Sequence, residues 1–280
     1  MTSRVLPRIN TLFALGLFAL CALTATSKAA EVQVAVAANF TEPMKAIAAV
    51  FEQTTGHKAL LTTGATGKFH AQILNGAPFD VFLAANQESP AELEAAGLGV
   101  KGSRFTYAQG KLALWSADPA LVDAQGKVLA HGSFRKLAIA SPKAAPYGAA
   151  AVEAMAALGL SARLEPRLVQ GESIGQAHAF IATGNAELGF VALSQVLEGG
   201  RLKSGSMWLV PAKLYRPILQ DALLLRTGQD NPAARQLLAL LRSPSIKDLV
   251  RSYGYELSAG PPQASEGPLG GQSATRSGQT

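Results

Sequence analysis

Cysteine is almost absent from this 280-residue chain, and the only one, Cys21, falls within the first thirty residues. The remainder can form no disulfide, thiol nucleophile or thiolate metal site. Histidine is nearly as scarce. His57, His70, His131 and His178 are scattered, without the H-x₃-H or H-E-x-x-H spacing that would put two imidazoles on one metal. A dominant charge is missing too. Of 25 Lys and Arg, three (Arg4, Arg8 and Lys28) lie in the first thirty residues, and the remaining 22 face 19 Asp and Glu. So small a surplus bears on solubility rather than on a partner. No basic cluster alternates with aromatic residues, which argues against nucleic acid. Beyond residue 30 no apolar run approaches the roughly 20 residues that a membrane span needs.

The two ends read differently from the middle. Arg4 and Arg8 make a basic start, residues 11–25 are largely apolar, and Ser27-Lys28-Ala29-Ala30 is a small-residue exit. That is the pattern of a cleaved secretory signal peptide over 1–30, cut near Ala29 or Ala30. Leu20, where a lipoprotein signal needs a small residue before its cysteine, argues against lipidation. Residues 259–280 are rich in Gly, Pro, Ser and Gln and have no aromatic residue. They cannot bury enough apolar surface to offset ordering entropy, and a disordered tail is expected.

Between these ends strand and helix signals alternate, which predicts an α/β sheet protein. Strands are expected over 32–38, 59–62, 81–84, 112–116, 137–141, 164–169, 189–192, 207–210 and 219–225. Helices are expected over 41–55, 68–75, 149–158 and 175–183, and two more close the fold behind Asn231-Pro232 and Ser243-Pro244. In the first helix Met44, Ile47, Ala48 and Phe51 share one face. Ser89-Pro90-Ala91-Glu92 has the form of a capping box. There is no internal repeat and no long linker. Two βαβ-rich halves joined by short strand-like crossings imply two lobes with a cleft: 31–109 with 216–258, and 110–215. In open α/β sheets ligands bind beyond the carboxyl ends of the strands.

Four strand-to-helix junctions share a chemistry: Ala37-Ala38-Asn39-Phe40-Thr41, Thr63-Gly64-Ala65-Thr66-Gly67, Pro146-Tyr147-Gly148 and Gly171-Glu172-Ser173-Ile174. Each offers free amides at a helix start, where the dipole is positive, and most add a short hydroxyl or amide side chain. Such a start binds anions without a formal charge. Ordinary capping explains any one junction, but four in one chain could converge on a dianion.

Two patterns point elsewhere. Gly171-Glu172-Ser173-Ile174-Gly175 matches the G-x-S-x-G nucleophile elbow of a serine hydrolase. The only later histidine, His178, is five residues on, about 140° around the same helix, badly placed to take a proton from Ser173. Gly64-Ala65-Thr66-Gly67-Lys68-Phe69 faintly resembles a phosphate loop, but its glycines are too close and Phe69 replaces the metal-binding hydroxyl. Asp80, at a strand start, reads as structural, and Trp115 and Trp208 as core.

The chain resembles the periplasmic molybdate-binding proteins of ABC transporters over 31–257. The matching stretches are Val34-Ala35-Val36-Ala37-Ala38-Asn39-Phe40-Thr41-Glu42-Pro43-Met44, Gly64-Ala65-Thr66-Gly67-Lys68-Phe69-His70-Ala71-Gln72-Ile73, Asn75-Gly76-Ala77-Pro78-Phe79-Asp80-Val81-Phe82-Leu83-Ala84-Ala85, Ala145-Pro146-Tyr147-Gly148 and Tyr253-Gly254-Tyr255. The resemblance implies a two-lobed class II binding-protein fold in the periplasm, a monomer with no catalysis, no cofactor and no metal cation. Its ligand would be molybdate or tungstate, handed to a membrane permease. The contacts it implies are Asn39 and Thr66 by side chain or backbone, Tyr147 and Ile174 by backbone amides, and Ala38 by a further amide. Many members carry a tyrosine where this chain has Ala192, and Tyr147 is the residue that could supply that hydroxyl. Sulfate and phosphate remain alternatives. Phosphate carries a proton needing an acceptor, for which Glu42 and Glu172 are candidates.

Overall fold

The computed structural model describes residues 29–257. All but the last two residues of the expected signal peptide, and the whole of the expected tail, lie outside them.

The first lobe opens with β1 (Glu31–Ala37), whose Val32, Val34 and Val36 point to one face and Ala35 to the other, all fully buried. A short 3-10 turn, Ala38–Phe40, runs directly into α1 (Thr41–Thr55). Met44, Ile47 and Phe51 of that helix are fully buried against the sheet, each contributing roughly 1.5–3 kcal/mol. Ala48, expected on the same face, is only half-buried. Gly56 ends the helix at φ 73°, a left-handed conformation that glycine adopts without steric cost. Then come β2 (Lys58–Gly64), α2 (Thr66–Leu74), β3 (Val81–Leu83), α3 (Glu88–Ala95) and β4 (Phe105–Gly110).

The second lobe holds β5 (Leu112–Ser116), α4 (Val128–His131), β6 (Leu137–Ala140), α5 (Pro146–Ala157), α6 (Ser161–Leu164), β7 (Leu168–Gly171), α7 (Ile174–Ala182), β8 (Leu188–Ala192), α8 (Leu193–Val196), the small hairpin β9 (Leu197–Glu198) and β10 (Arg201–Leu202), and β11 (Ser206–Leu209). Every residue of β5, β6 and β8 is buried, as expected of strands covered on both faces. The chain then returns to the first lobe through β12 (Ile218–Leu224), α9 (Pro232–Leu241) and α10 (Pro244–Ser252).

The two five-stranded sheets have orders β2-β1-β3-β12-β4 and β7-β6-β8-β5-β11. In each, the second strand of that order pairs in parallel with both neighbours: β1 with β2 and β3, and β6 with β7 and β8. In each, two antiparallel strands complete the far side. The chain crosses between sheets at Lys111 and again over 210–217. The crossings are tied together, since the Leu112 amide donates to the Tyr215 hydroxyl at 3.1 Å and the Val210 amide to the Leu112 carbonyl at 3.1 Å. Short segments at element ends such as these are where a hinge between lobes is expected.

Some local expectations fail for identifiable reasons. The segment 164–169 is not one strand. Leu164 ends α6, Glu165–Arg167 forms a 3-10 turn, and β7 starts at Leu168, because Pro166 cannot donate to a ladder. The box at Ser89 and Glu92 does not form. Its helix starts at Glu88, the Ser89 amide donates to Asn86 Oδ1 at 3.4 Å, and Glu92 faces His70 Nε2 at 3.2 Å. Strand β4 went unpredicted because Phe-Thr-Tyr-Ala-Gln-Gly shows no clean alternation. The caps expected at Asn231 and Ser243 do form, accepting from Ala233 and Ile246 amides at 3.1 and 3.4 Å. Among the described residues no helix is long and apolar enough to cross a membrane.

Candidate functional site

All four junctions lie at carboxyl ends of parallel strands and meet along the seam between the lobes. From the first lobe come the turn after β1, with Ala38 and Asn39, and the start of α2, with Thr66. From the second come the start of α5, with Tyr147, and the start of α7, with Ile174. Approach across the seam is close. The Gly67 amide donates to the Ala144 carbonyl at 2.9 Å, and a Cβ at Gly67 would press on Ala144 backbone at 3.2 Å. On the other side, a Cβ at Gly175 would lie 3.3 Å from the Ala38 methyl. Asn39, Thr66, Tyr147 and Ile174 are between 1% and 3% exposed, so whatever they contact is shielded from water.

Helices α5 and α2 begin earlier than periodicity suggested, and this matters for the donors. Pro146 is the first residue of α5, a position where its missing N–H costs nothing, and it puts Tyr147 in the first turn. Gly148 is required there because a Cβ would collide with the Ala140 carbonyl at the end of β6. First-turn amides have no intrahelical acceptor. Among the described residues the amides of Asn39, Thr66, Tyr147 and Ile174 donate to no protein group. The Thr66 hydroxyl accepts from the Ala85 amide at 2.9 Å, which leaves its own proton to donate.

Glu88, Lys143, Glu153 and Arg216 line the open cleft beside Thr66 and Pro146, but few formal charges are buried. The buried polar residues among those described are Asn39, His57, Thr66, Ser89, Ser116, Ser194, Ser206, Gln220 and Asp221, without a lysine or arginine. Asp221 is neutralised by Arg104 at 2.6 Å and accepts from Thr106 at 2.6 Å. Glu42 pairs with Lys45 at 2.8 Å and Glu172 with Lys68 at 3.7 Å, all four exposed, so neither carboxylate is a buried acceptor at the seam. No group of three or more His, Cys, Asp or Glu among the described residues could hold a metal ion. The arrangement can therefore offer an anion neutral N–H and O–H donors, and among the described residues it pairs no nucleophile with a base. The Ser173 hydroxyl accepts from the Gln176 amide at 3.3 Å as the cap of α7. His178 instead stacks on Trp115, centroids 5.1 Å apart, and burial lowers its pKa. Asp80 accepts from the Gln33 amide at 2.7 Å, the structural use expected of it.

Beneath the seam lies a polar network that the sequence reading did not identify. Asn39 Nδ2 donates to Gln220 Oε1 at 2.8 Å and to the Tyr255 hydroxyl at 3.0 Å. Gln220 Nε2 donates to the Tyr147 hydroxyl at 3.1 Å, and Tyr107 donates to Gln220 Oε1 at 3.0 Å. The Ser194 hydroxyl from the second lobe donates to the Asn39 carbonyl at 2.8 Å. Burial holds the Tyr107, Tyr147 and Tyr255 hydroxyls above the usual phenol range, so all three keep their protons. Tyr147 thus turns its hydroxyl into the hinge, beside Gly110, where any Cβ would overlap it. The signal for this network was Gln220-Asp221, a polar pair inside an otherwise apolar strand, which burial obliges to find partners.

The model of the bacterial extracellular solute-binding protein family matches residues 32–256. The chain belongs to that family. This solute-binding protein is 58% identical over 235 residues to the molybdate-binding protein ModA of Azotobacter vinelandii, covering 84% of this chain and 93% of that one. It is 52% identical over 233 residues to the molybdate-binding protein ModA of Rhodobacter capsulatus, covering 83% and 91%. The solved structure of the Azotobacter vinelandii periplasmic molybdate-binding protein is similar with a TM-score of 0.79 at 42% identity, covering 81% of this chain and 99% of that chain.

Proposed function

We propose that this solute-binding protein captures molybdate, and tungstate with it, in the periplasm and delivers it to the membrane permease of an ABC transporter, without catalysis. The observation that carries this reading is the seam itself, where helix starts from two lobes present unpaired amides and a hydroxyl on buried residues, none of them a lysine or arginine. A fully deprotonated tetrahedral dianion suits such a site. Each charge-assisted hydrogen bond contributes about 1.5–3 kcal/mol, and enough of them replace the water that the ion gives up. The high identity to two molybdate-binding proteins over most of the chain supports the same ligand class. The residues proposed to hold the ion are Asn39 and Thr66 by side chain and amide, and Tyr147, Ile174 and Ala38 by their amides. The protein acts as a monomer with no cofactor, after removal of its signal peptide.

A thermal-shift panel with molybdate, tungstate, sulfate and phosphate tests this. Ligand at about 1,000 times its dissociation constant stabilises by roughly 4 kcal/mol. Large shifts are expected with the first two ions and little with the others. A site for a different anion would reverse that order.

A further inference from the structure

The Asn39 side chain holds an unresolved acceptor. Its residue is 2% exposed, its Nδ2 has two partners, and its Oδ1, sealed from solvent, has none among the described residues. A buried unpaired amide oxygen is costly, and an acceptor placed in the proposed site would repel an oxyanion.

The hydrogen-bond chemistry of the neighbours resolves this in one way. If Asn39 alone turned its amide over, its oxygen would meet Gln220 Oε1, now 2.8 Å from Nδ2, and two acceptors would oppose each other. If Gln220 turns as well, every group finds a partner, the Tyr255 hydroxyl 3.0 Å away donating to the turned Asn39 oxygen. Gln220 Nε2 then donates to Asn39 Oδ1 and to the Tyr107 hydroxyl. Tyr107 donates to the Ala84 carbonyl, already 3.1 Å away. The Tyr147 hydroxyl, which keeps its proton, donates to Gln220 Oε1 across the present 3.1 Å contact. Asn39 Nδ2 is left as the free group, and it is a donor.

We propose that Gln220 is the specificity-determining positioning residue of the anion site, and that Asn39 and Gln220 turn together so that Asn39 presents N–H rather than C=O to a fully deprotonated oxyanion. Gln220 touches no ligand. It acts through Asn39 in its own lobe and through Tyr147 in the other, so the choice between donor and acceptor is coupled to the meeting of the lobes. With the pair in the opposite sense, Asn39 Oδ1 would accept a proton and the site would suit a protonated anion such as monohydrogen phosphate. This rests on the oxyanion reading above.

The test is Gln220→Glu, read at alkaline pH so that the buried carboxyl is ionised and only accepts. It holds Asn39 Nδ2 towards itself and leaves Oδ1 inward. Molybdate and phosphate affinities are measured by calorimetry on the full chain and on the variant. Added charge or a loosened fold weakens both dianions alike, whereas the wrong amide orientation does not. The expected result is a molybdate-to-phosphate affinity ratio at least tenfold lower in the variant; an unchanged ratio overturns the proposal. Should the variant not fold, the wild-type side-chain amide ¹⁵N signals serve, assigned by their loss in Asn39→Ser and Gln220→Met. On adding molybdate both pairs must shift together, and an unmoved Gln220 pair overturns the proposal. A wild-type protein that binds no molybdate refutes the function proposed above instead, which keeps the two failures apart.

Discussion

The two lobes are built to one plan and equip the seam differently. In each sheet the strand arriving from the other lobe, β12 or β5, pairs antiparallel to the last parallel strand. In each, the departing strand, β4 or β11, takes the edge. In each, the first two parallel strands feed the helix starts that meet at the seam. Yet in the proposed site the first lobe adds side chains, the Asn39 amide and the Thr66 hydroxyl, to its backbone amides, while the second offers backbone amides alone. The Tyr147 hydroxyl is turned into the hinge and Ile174 is an apolar core residue. The same topology thus yields a lobe whose contribution can be deleted by substitution and one whose contribution is protected, because a backbone amide survives most changes of side chain.

The contrast is sharpest at Thr66 and Asn39. Thr66→Ala and Asn39→Ala each remove a proposed donor to the dianion, and each is expected to weaken molybdate binding by about 10- to 100-fold, measured by calorimetry. Unchanged affinity in both would mean that the site lies elsewhere. Tyr147→Phe keeps the amide and removes the hydroxyl that accepts from Gln220. It is expected to cost about 1 kcal/mol of stability in chemical denaturation, with a loss of affinity under about tenfold. Ile174→Val trims a buried side chain, for about 0.5–1.5 kcal/mol of stability, and leaves the affinity within about threefold. A large loss there would show that the second lobe also binds by side chain. Least of all should come from Lys68→Gln, which breaks the exposed 3.7 Å pair with Glu172 across the seam. Such pairs contribute about 0–1 kcal/mol and are screened by salt, so any change in affinity should fade as ionic strength rises.

The seam was legible in the sequence to the extent that it is made of local structure. A strand ending in a small or hydroxyl residue and followed by a helix start is visible from periodicity and from Pro or Gly at the turn, as at Thr66-Gly67 and Pro146-Tyr147-Gly148. Its boundaries were less legible. Residues 66–67 and 146–148 belong to their helices rather than preceding them, because pattern reading starts a helix at its first clear repeat. The partners of Asn39 were not legible. Gln220 and Tyr255 are 181 and 216 residues away, and no local pattern couples such positions. The parallel between the lobes was also hidden, since a shared topology leaves no trace when the side chains filling each core differ.

The amino-acid order by itself determined the alternation of strands and helices, the lack of thiol chemistry beyond residue 30, and the type of donor at each junction. These follow from composition and short-range periodicity, which act within a few residues. Only the tertiary structure decided that two junctions from each lobe face one buried seam, that Tyr147 spends its hydroxyl on Gln220, and that Asn39 is hydrogen-bonded to the same residue. Those outcomes depend on two crossings of the chain bringing distant strands together, and burial then requires every polar group there to find a partner.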